Sequence, residues 1–252
     1  PMEVRLLSRK EVESLQIPVT EVMDVVEKGF ALKGKDAMEM PAKIGIHPRK
    51  DCFIHAMPCF VGGGADVAGI KWVSGYPLNQ AKGLPYITGV MCLNDPETGF
   101  VKVIMDANWI TAWRTGAATG VCARHMADPD SRVLAVIGLG VQGRTNAAAL
   151  AAALPKVQKV KVYDTDAEQV PRFLELVKEE LKGIEVLPCA TVEETVSEAD
   201  VVVTCTPIVN DPERFVRSEW LKKDMLAVAV DYDSAFEADV MSGASAFVCD
   251  DL

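Results

Sequence analysis

Three glycines, Gly138, Gly140 and Gly143, have the spacing of a loop that binds phosphate groups. They follow the apolar run VLAVI and precede an alanine-rich stretch over 142–154. In a strand–turn–helix unit the first glycine of such a loop makes the turn, the second admits a pyrophosphate, and the third allows close packing. A simple glycine turn before a helix is the alternative. The flanking strand and helix favour a dinucleotide site, whose loop residues are Gly138, Gly140, Val141, Gln142 and Gly143.

The acidic residue expected to bind the ribose in such a site is Asp164, at the end of the apolar run KVKVY. Its carboxylate could accept hydrogen bonds from both ribose hydroxyls and would repel a 2′-phosphate. We therefore expect NAD as the cofactor rather than NADP. The alternative role for Asp164 is to cap the next helix, which Asp166 could do equally well.

A third group of candidates ends the run VVVTCTP, where Thr204, Cys205 and Thr206 would lie at the carboxyl edge of a parallel sheet. Ligands bind outside this edge in open α/β sheets, so we assign the three residues to the cofactor site. The threonines could instead be ordinary caps of the strand end. For Cys205 the pattern favours a packed thiol near the cofactor over a nucleophile.

Substrate binding and proton transfer need charged groups, and three are candidates. Lys71 interrupts the apolar run VAGIKWVSG, where an unpaired buried amine is costly and its pKa falls. Arg114 stands among small residues in a predicted helix, and its guanidinium suits a carboxylate. Asp231 ends the run LAVAV at the same functional edge. The alternatives are a surface lysine on an edge strand, a surface arginine and a helix cap.

The elements that would position these residues fall into two groups. Residues 8–33 are predicted to be helical, beginning with a capping box between Ser8 and Glu11, and residues 40–105 to form a mostly antiparallel sheet with a turn at LNDPETGF. After a long helix over 106–127, strands and helices alternate, which indicates a parallel sheet covered on both faces. The predicted fold is therefore α/β: a Rossmann-type domain over 116–252 and an α+β substrate and dimerisation domain over 1–115.

Composition excludes several classes of protein. The net charge of −10 and the pI of about 4.9 argue against nucleic acid as a partner. The sequence contains neither an apolar run long enough for a membrane helix nor a signal peptide at its start, so we expect a cytoplasmic protein. The seven cysteines are scattered, and the three histidines lack the spacing of metal ligands. We therefore expect no metal.

The two ends of the sequence suggest a piece of a longer protein. Pro1 is not an initiator, and the last residues, SAFVCDDL, are predicted to be a strand that enters a loop without a following helix.

Several longer segments resemble the ornithine cyclodeaminase/mu-crystallin family. They are MPAKIGIHP, AGIKWVSGYPLNQAKGLPYITGVMCLNDPETG, MDANWITAWRTGAATGVCARHMA, IGLGVQGR and VDYDSAFEADVM. They occur in order along nearly the whole chain. The resemblance implies a substrate and dimerisation domain, a Rossmann domain that binds NAD(H), and a homodimer, with the residue 40–105 sheet at the two-fold interface. It also implies a further quarter of chain after residue 252, which returns to the first domain.

The resemblance also implies roles for single residues. Lys71 and Arg114 match the pair that binds the substrate carboxylate, and Asp231 matches an acid/base near the substrate amine. Lys43 stands where cyclodeaminases usually have an arginine ligand for the same carboxylate. His55 replaces the glutamate of ornithine-specific members, and Ala235 replaces a lysine that many members have. We also assign Thr115 to the cofactor and expect Lys71 and Asp231 to be catalytic.

The implied reaction is that of a cyclodeaminase acting on a small amino acid. The α-carbon loses a hydride to give an imine, the side-chain amine closes a ring with loss of ammonia, and the ring is reduced again. The alternatives are an alanine-type amino-acid dehydrogenase or a cyclic ketimine reductase. A third, less favoured because Lys71, Arg114 and Asp231 are all present, is an NAD(H)-dependent binding protein without turnover.

Overall fold

A computed structural model describes residues 3–209 and 211–249, which form two compact units. The first unit comprises the chain up to Pro18 and Glu27–Thr111. The second comprises Val19–Val26 and the chain from Ala112 onward. Within the described ranges, no helix is both long and apolar enough to span a membrane.

The first unit is built on a largely antiparallel sheet of seven strands in the order β1-β7-β6-β5-β4-β2, with β3 paired to β4. All neighbours are antiparallel except β1 and β7. The capping box of Ser8 and Glu11 is present at the start of the first helix, as predicted. The elements are β1 (Arg5–Leu7), α1 (Arg9–Ser14), β2 (Met38–Glu39), β3 (Ile44–Ile46), β4 (Phe53–Val61), β5 (Val67–Gly75), β6 (Ile87–Asn94) and β7 (Val101–Asp106).

The two faces of this sheet differ, because side chains alternate along each strand and paired residues share a face. Lys71 pairs with Met57 on one side and with Met91 on the other, so these three residues share one face. Trp72 belongs to the opposite face and is 50% exposed. Exposed apolar residues that have the register of Trp72 include Leu6, Ile44, Ile46 and Val90. We call these five residues the apolar sheet face.

The second unit contains a parallel sheet of five strands in the order β10-β9-β8-β11-β12. Its apolar core lies on both sheet faces: Leu134 and Val136 belong to one buried cluster, and Ala135 and Ile137 to another. The predicted Rossmann-type sheet is confirmed. The elements are β8 (Val133–Ile137), α4 (Val141–Ala153), β9 (Lys159–Tyr163), α5 (Gln169–Leu176), β10 (Glu185–Pro188), α6 (Val192–Val196), β11 (Val201–Thr204), β12 (Leu226–Ala229) and α7 (Ala238–Ser242).

Helices α2 (Val19–Lys33) and α3 (Asn108–Met126) each contain residues of both units. In the second unit, α3 packs tightly against α4 through glycines. A Cβ atom on Gly116 would lie 2.5 Å from the carbonyl oxygen of Thr145, and one on Gly120 would lie 3.1 Å from that of Ala149. The small residues around Arg114 therefore serve helix packing on this side.

Two predicted elements differ from the structure. The helix predicted over 167–183 ends at Leu176, although hydrogen bonds from Val177 N to Phe173 O and from Leu181 N to Val177 O continue its spacing. The strand predicted at AFVCDD is wrong over 246–249, where Phe247 and Val248 are exposed and no strand is present. An apolar run alone is not a strand without a neighbour to pair with; residues 250 and 251 lie outside the described part.

Candidate functional site

The glycine loop leaves the end of β8 in a conformation that only glycine adopts easily. Gly138 has a φ of 87°, in the left-handed region. A Cβ atom there would also lie 2.6 Å from the carbonyl oxygen of Cys205. Both the turn and the contact with the chain after β11 therefore require glycine at this position.

The other two glycines have opposite surroundings. A Cβ atom on Gly143 would lie 2.0 Å from the carbonyl oxygen of Gly138, so this position is closed by the loop itself. A Cβ atom on Gly140 would meet no described atom within 4 Å. Gly140 caps α4 without a side chain, and the first N–H groups of the helix lack helical acceptors. A backbone open at Gly140 beside these N–H groups fits the pyrophosphate of a dinucleotide.

Asp164 follows β9 and is bonded to the glycine loop. Its Oδ2 atom accepts a hydrogen bond of 2.7 Å from Leu139 N, and its Oδ1 atom accepts one of 2.9 Å from Asp166 N. The N-cap of α5 is Glu168, so Asp164 does not have the alternative role of helix cap. A carboxylate attached to the phosphate loop fits the ribose of an adenosine, although its role as a ligand stays a prediction.

The carboxyl edge of the parallel sheet brings Asp231 to the two threonines after β11. Thr204 Oγ1 donates to Asp231 Oδ1 over 2.7 Å, and both the N and the Oγ1 of Thr206 donate to Asp231 Oδ2, over 2.9 and 2.6 Å. Asp231 is only 1% exposed. The turn that follows it is sharp, since Tyr232 has a φ of 59°. Sequence reasoning selected all three residues but not the contacts among them.

Cys205 lies between the two threonines and is unsuited to nucleophilic attack. Burial, together with the neighbouring Asp231 carboxylate, raises the pKa of its thiol well above the ordinary value. A thiol must lose its proton to act as a nucleophile, so the surroundings favour a packed thiol.

Three of the predicted substrate residues lie in the first unit. Lys71 lies in β5 and is 8% exposed, whereas Lys43 is exposed just before β3. His55 lies in β4, on the same face as Lys71, with its ring stacked on Phe53 at 4.3 Å between centroids. Burial, with the charges of Lys43 and His47, lowers the pKa of His55, so its imidazole is neutral at neutral pH.

The remaining predicted residues lie in the second unit. Arg114 and Thr115 are in α3, one turn or less from the tight glycine contact at Gly116. Ala235, in the position where the resemblance expects a lysine, is fully buried, and its carbonyl oxygen accepts from Phe215 N and Val216 N. The side chain and the backbone of Ala235 are therefore both part of the packed core of the second unit.

Sequence reasoning missed Arg144, which directly follows the last glycine of the loop. Its guanidinium carbon lies 5.9 Å from the centre of the Trp113 ring, so the side chain joins the first turn of α4 to α3. The only feature of the sequence that could have indicated Arg144 is its position directly after Gly143.

The family model described as "Ornithine cyclodeaminase/mu-crystallin family" matches residues 2–249 of this chain. The nodulation efficiency protein NfeD of Rhizobium meliloti is 34% identical over 249 residues, 99% of this chain and 75% of that protein. An alanine dehydrogenase of Archaeoglobus fulgidus is 35% identical over 241 residues, 95% of this chain and 71% of that protein.

Two solved structures are similar in both fold and sequence. One is the Thermococcus litoralis Delta(1)-pyrroline-2-carboxylate reductase in complex with NADH and L-proline. It has a TM-score of 0.83 and 32% identity, and the match covers 90% of this chain and 68% of that one. The other is an archaeal alanine dehydrogenase dimer with bound NAD. Its TM-score is 0.80 with 35% identity, and the match covers 90% of this chain and 67% of that one.

Proposed function

Because this chain belongs to the ornithine cyclodeaminase/mu-crystallin family, we propose that it is an NAD-dependent enzyme that interconverts a small amino acid and its imine. The observation that carries the proposal is the arrangement at the carboxyl edge of the parallel sheet. There an open glycine loop follows β8, and the buried Asp231, whose carboxylate accepts three hydrogen bonds, follows β12; β11 lies between these two strands in the same sheet. The loop can hold the phosphates of a nicotinamide cofactor, and the carboxylate can exchange a proton with a substrate; dehydrogenation of an amino acid uses both functions.

The cofactor would be held by the glycine loop, with the pyrophosphate at Gly140 and the N–H groups of Val141, Gln142 and Gly143. Asp164 would bind the adenosine ribose and favour NAD over NADP. When bound, NAD supplies an acceptor for the hydride of the α-carbon and, once reduced, a donor for the reverse reaction. The Thermococcus litoralis and archaeal structures, which contain NADH and NAD, support this choice.

The proposed ligands of the substrate carboxylate are Lys43, Lys71 and Arg114. The proposed acceptor of the proton from the substrate nitrogen is Asp231. Lys71 suits this role because it is a nearly buried cation on a sheet strand. A guanidinium and an ammonium together neutralise and orient a carboxylate through charge-assisted hydrogen bonds.

We place an amino-acid or imine oxidoreductase first and the complete cyclodeaminase reaction second. The neutral His55 and the buried Ala235 stand at the two positions where the resemblance implies a glutamate and a lysine in cyclodeaminases. A neutral imidazole in place of a carboxylate recognises a second amino group poorly. Similarity to an alanine dehydrogenase over 95% of the chain points the same way. The family model, which includes ornithine cyclodeaminase by name, keeps the second candidate.

The deciding experiment is a screen of amino acids with NAD and of imines with NADH, following absorbance of NADH and release of ammonia in the same samples. An oxidoreductase changes the NADH concentration in proportion to substrate consumed. A cyclodeaminase releases ammonia without net NADH, because its second hydride transfer reverses the first. No turnover of any substrate would contradict both candidates and leave a binding protein.

Replacement of Lys71 or Arg114 by alanine tests the substrate site. We expect each variant to lose about tenfold or more in kcat/KM on the best substrate, since a charged hydrogen bond contributes at least about 1.4 kcal/mol. The affinity for NADH, measured by fluorescence, should change little because neither residue belongs to the glycine loop. Full turnover by Lys71→Ala would show that the carboxylate is bound elsewhere.

A further inference from the structure

The carboxylate of Asp231 is enclosed by its hydrogen-bond donors. Oδ1 accepts from the hydroxyl of Thr204, and Oδ2 accepts from the backbone and the hydroxyl of Thr206. With 1% of Asp231 exposed, a molecule outside the protein meets its neighbours before it meets the carboxylate. A group that exchanges protons with a substrate nevertheless needs a path to it.

The two threonines differ in what else they can reach. Thr204 is the last residue of β11 and is fully buried. Thr206 lies two residues further along the chain and is partly exposed. Pairing of Thr204 with Ala229, followed by the bond from Val230 N to Thr204 O, sets the register that places Asp231 beside both. Thr206 is thus the threonine that bonds the carboxylate and is itself partly exposed.

A threonine hydroxyl can donate one hydrogen bond and accept others at the same time. In Thr206 the donated bond is directed to Asp231 Oδ2 over 2.6 Å, a length typical of a hydroxyl bonded to a carboxylate. Such a hydroxyl can pass its own proton to the carboxylate while it takes another from a group on its exposed side.

We propose that Thr206 is a catalytic residue that relays a proton between the substrate nitrogen and Asp231, an inference that rests on the proposed function. In the oxidative direction the N–H bond of the substrate breaks and its proton bonds to Thr206 Oγ1. The original Oγ1 proton moves to Asp231 Oδ2 in the same step. The hydroxyl is unchanged, the carboxylate gains one proton, and the electron pair of the broken N–H bond stays on nitrogen.

The two threonines provide a matched test, because Thr204→Val and Thr206→Val each remove one hydroxyl bond to the same carboxylate with little change in shape. We expect Thr206→Val to lower kcat at least 100-fold, as general acid–base catalysis contributes about 10²–10⁴-fold. Thr206→Ser, which keeps the hydroxyl, should stay within about tenfold of the wild type. The loss of kcat in Thr204→Val should be at least tenfold smaller than the loss in Thr206→Val. Equal losses in the two valine variants would mean that the threonines only position Asp231, and the relay would be wrong.

A second measurement is sensitive to the relay but not to positioning. Rates of the wild type in mixtures of H₂O and D₂O should depend on the deuterium fraction along a curve, because two protons move in one step. A straight line would indicate a single proton and would overturn the proposal. In a crystal structure with NADH and the best amino acid, the substrate nitrogen should lie about 3 Å from Thr206 Oγ1 rather than from an oxygen of Asp231.

These results separate the relay from the function on which it rests. If the wild type turns over no amino acid or imine, the proposed function and the relay both fail. If the wild type is active and Thr206→Val keeps its kcat, the function stands and only the relay is wrong.

Discussion

Single carboxylates at the ends of parallel strands have different partners in this protein, and the partners decide what each can do. Asp164 is bonded to the backbone of the glycine loop, whereas Asp231 is bonded mainly to threonine hydroxyls. The first arrangement leaves a negative charge beside a phosphate site and so favours selection between cofactors. The second surrounds a buried carboxylate with protons that can be exchanged and so favours acid–base chemistry.

Asp164→Ser should relax the preference for NAD over NADP. Loss of the charge removes the repulsion of a 2′-phosphate. We therefore expect the dissociation constant of NADPH divided by that of NADH to fall about tenfold, or about 1.4 kcal/mol. Fluorescence titration with NADH and NADPH measures both constants.

The matched control is Asp166→Ser, because Asp166 bonds Glu168 N and the side chain of Gln169 instead of the loop. It should leave the ratio unchanged. Equal affinity of the wild type for the two cofactors would contradict the role given to Asp164.

At the scale of elements, the strand–loop–helix unit of β8 and α4 depends on glycine for two separate reasons. Gly143 is closed against the carbonyl of Gly138, and Gly140 is open above the helix N-terminus. Gly143 is needed for packing between the loop and α4, whereas the space at Gly140 is where a ligand would lie. Substitution can therefore separate stability from binding.

Gly140→Ala and Gly143→Ala should affect different properties: the first should weaken cofactor binding, and the second should lower the stability of the fold. Gly140 has a φ of −70°, which alanine adopts without strain, so Gly140→Ala should keep the melting temperature and weaken NADH binding. Gly143→Ala forces a Cβ atom against backbone and should lower stability by about 1–3 kcal/mol, or several degrees in Tm. Thermal melts and fluorescence titration distinguish the two. Tight NADH binding by Gly140→Ala would place the pyrophosphate elsewhere.

At the scale of the whole molecule, the apolar sheet face of the first unit is a large exposed hydrophobic surface. Leu6 and Ile44 are each 70% exposed, and Trp72 lies on β5, a central strand of the same sheet. Contiguous apolar surface of this kind marks sites of association in proteins that otherwise have charged surfaces. We propose that a second copy of the chain covers this face, as the family resemblance implies.

Trp72→Glu should convert the proposed dimer into a monomer, because a carboxylate would be buried without a partner at the centre of the proposed contact. Light scattering at micromolar concentration measures the mass. Phe100→Glu is the control: Phe100 is also exposed, at 56%, but lies in the turn between β6 and β7 rather than among the five residues of the apolar sheet face. A monomeric wild type would show that this face has another role.

The sequence alone determined the features that depend on near neighbours along the chain. The alternation of apolar runs predicted the parallel sheet, and the glycine spacing predicted the loop, since both reflect backbone geometry over a few residues. The turn at LNDPETGF is likewise present, with Gly99 at a φ of 74°. Where an apolar pattern needed a distant partner, as at Phe247, the prediction was wrong.

Only the tertiary structure decided which distant residues meet. Asp231 and Thr206 are separated by a loop and a strand, and no local pattern indicates that β12 pairs with β11 in the register that bonds them. The apolar sheet face is equally invisible in single strands, because the exposure of Trp72 depends on what covers a sheet and not on its own run of residues. Pairing and burial are properties of the whole chain, so the hydrogen-bond donors of Asp231 could be identified only in the folded protein.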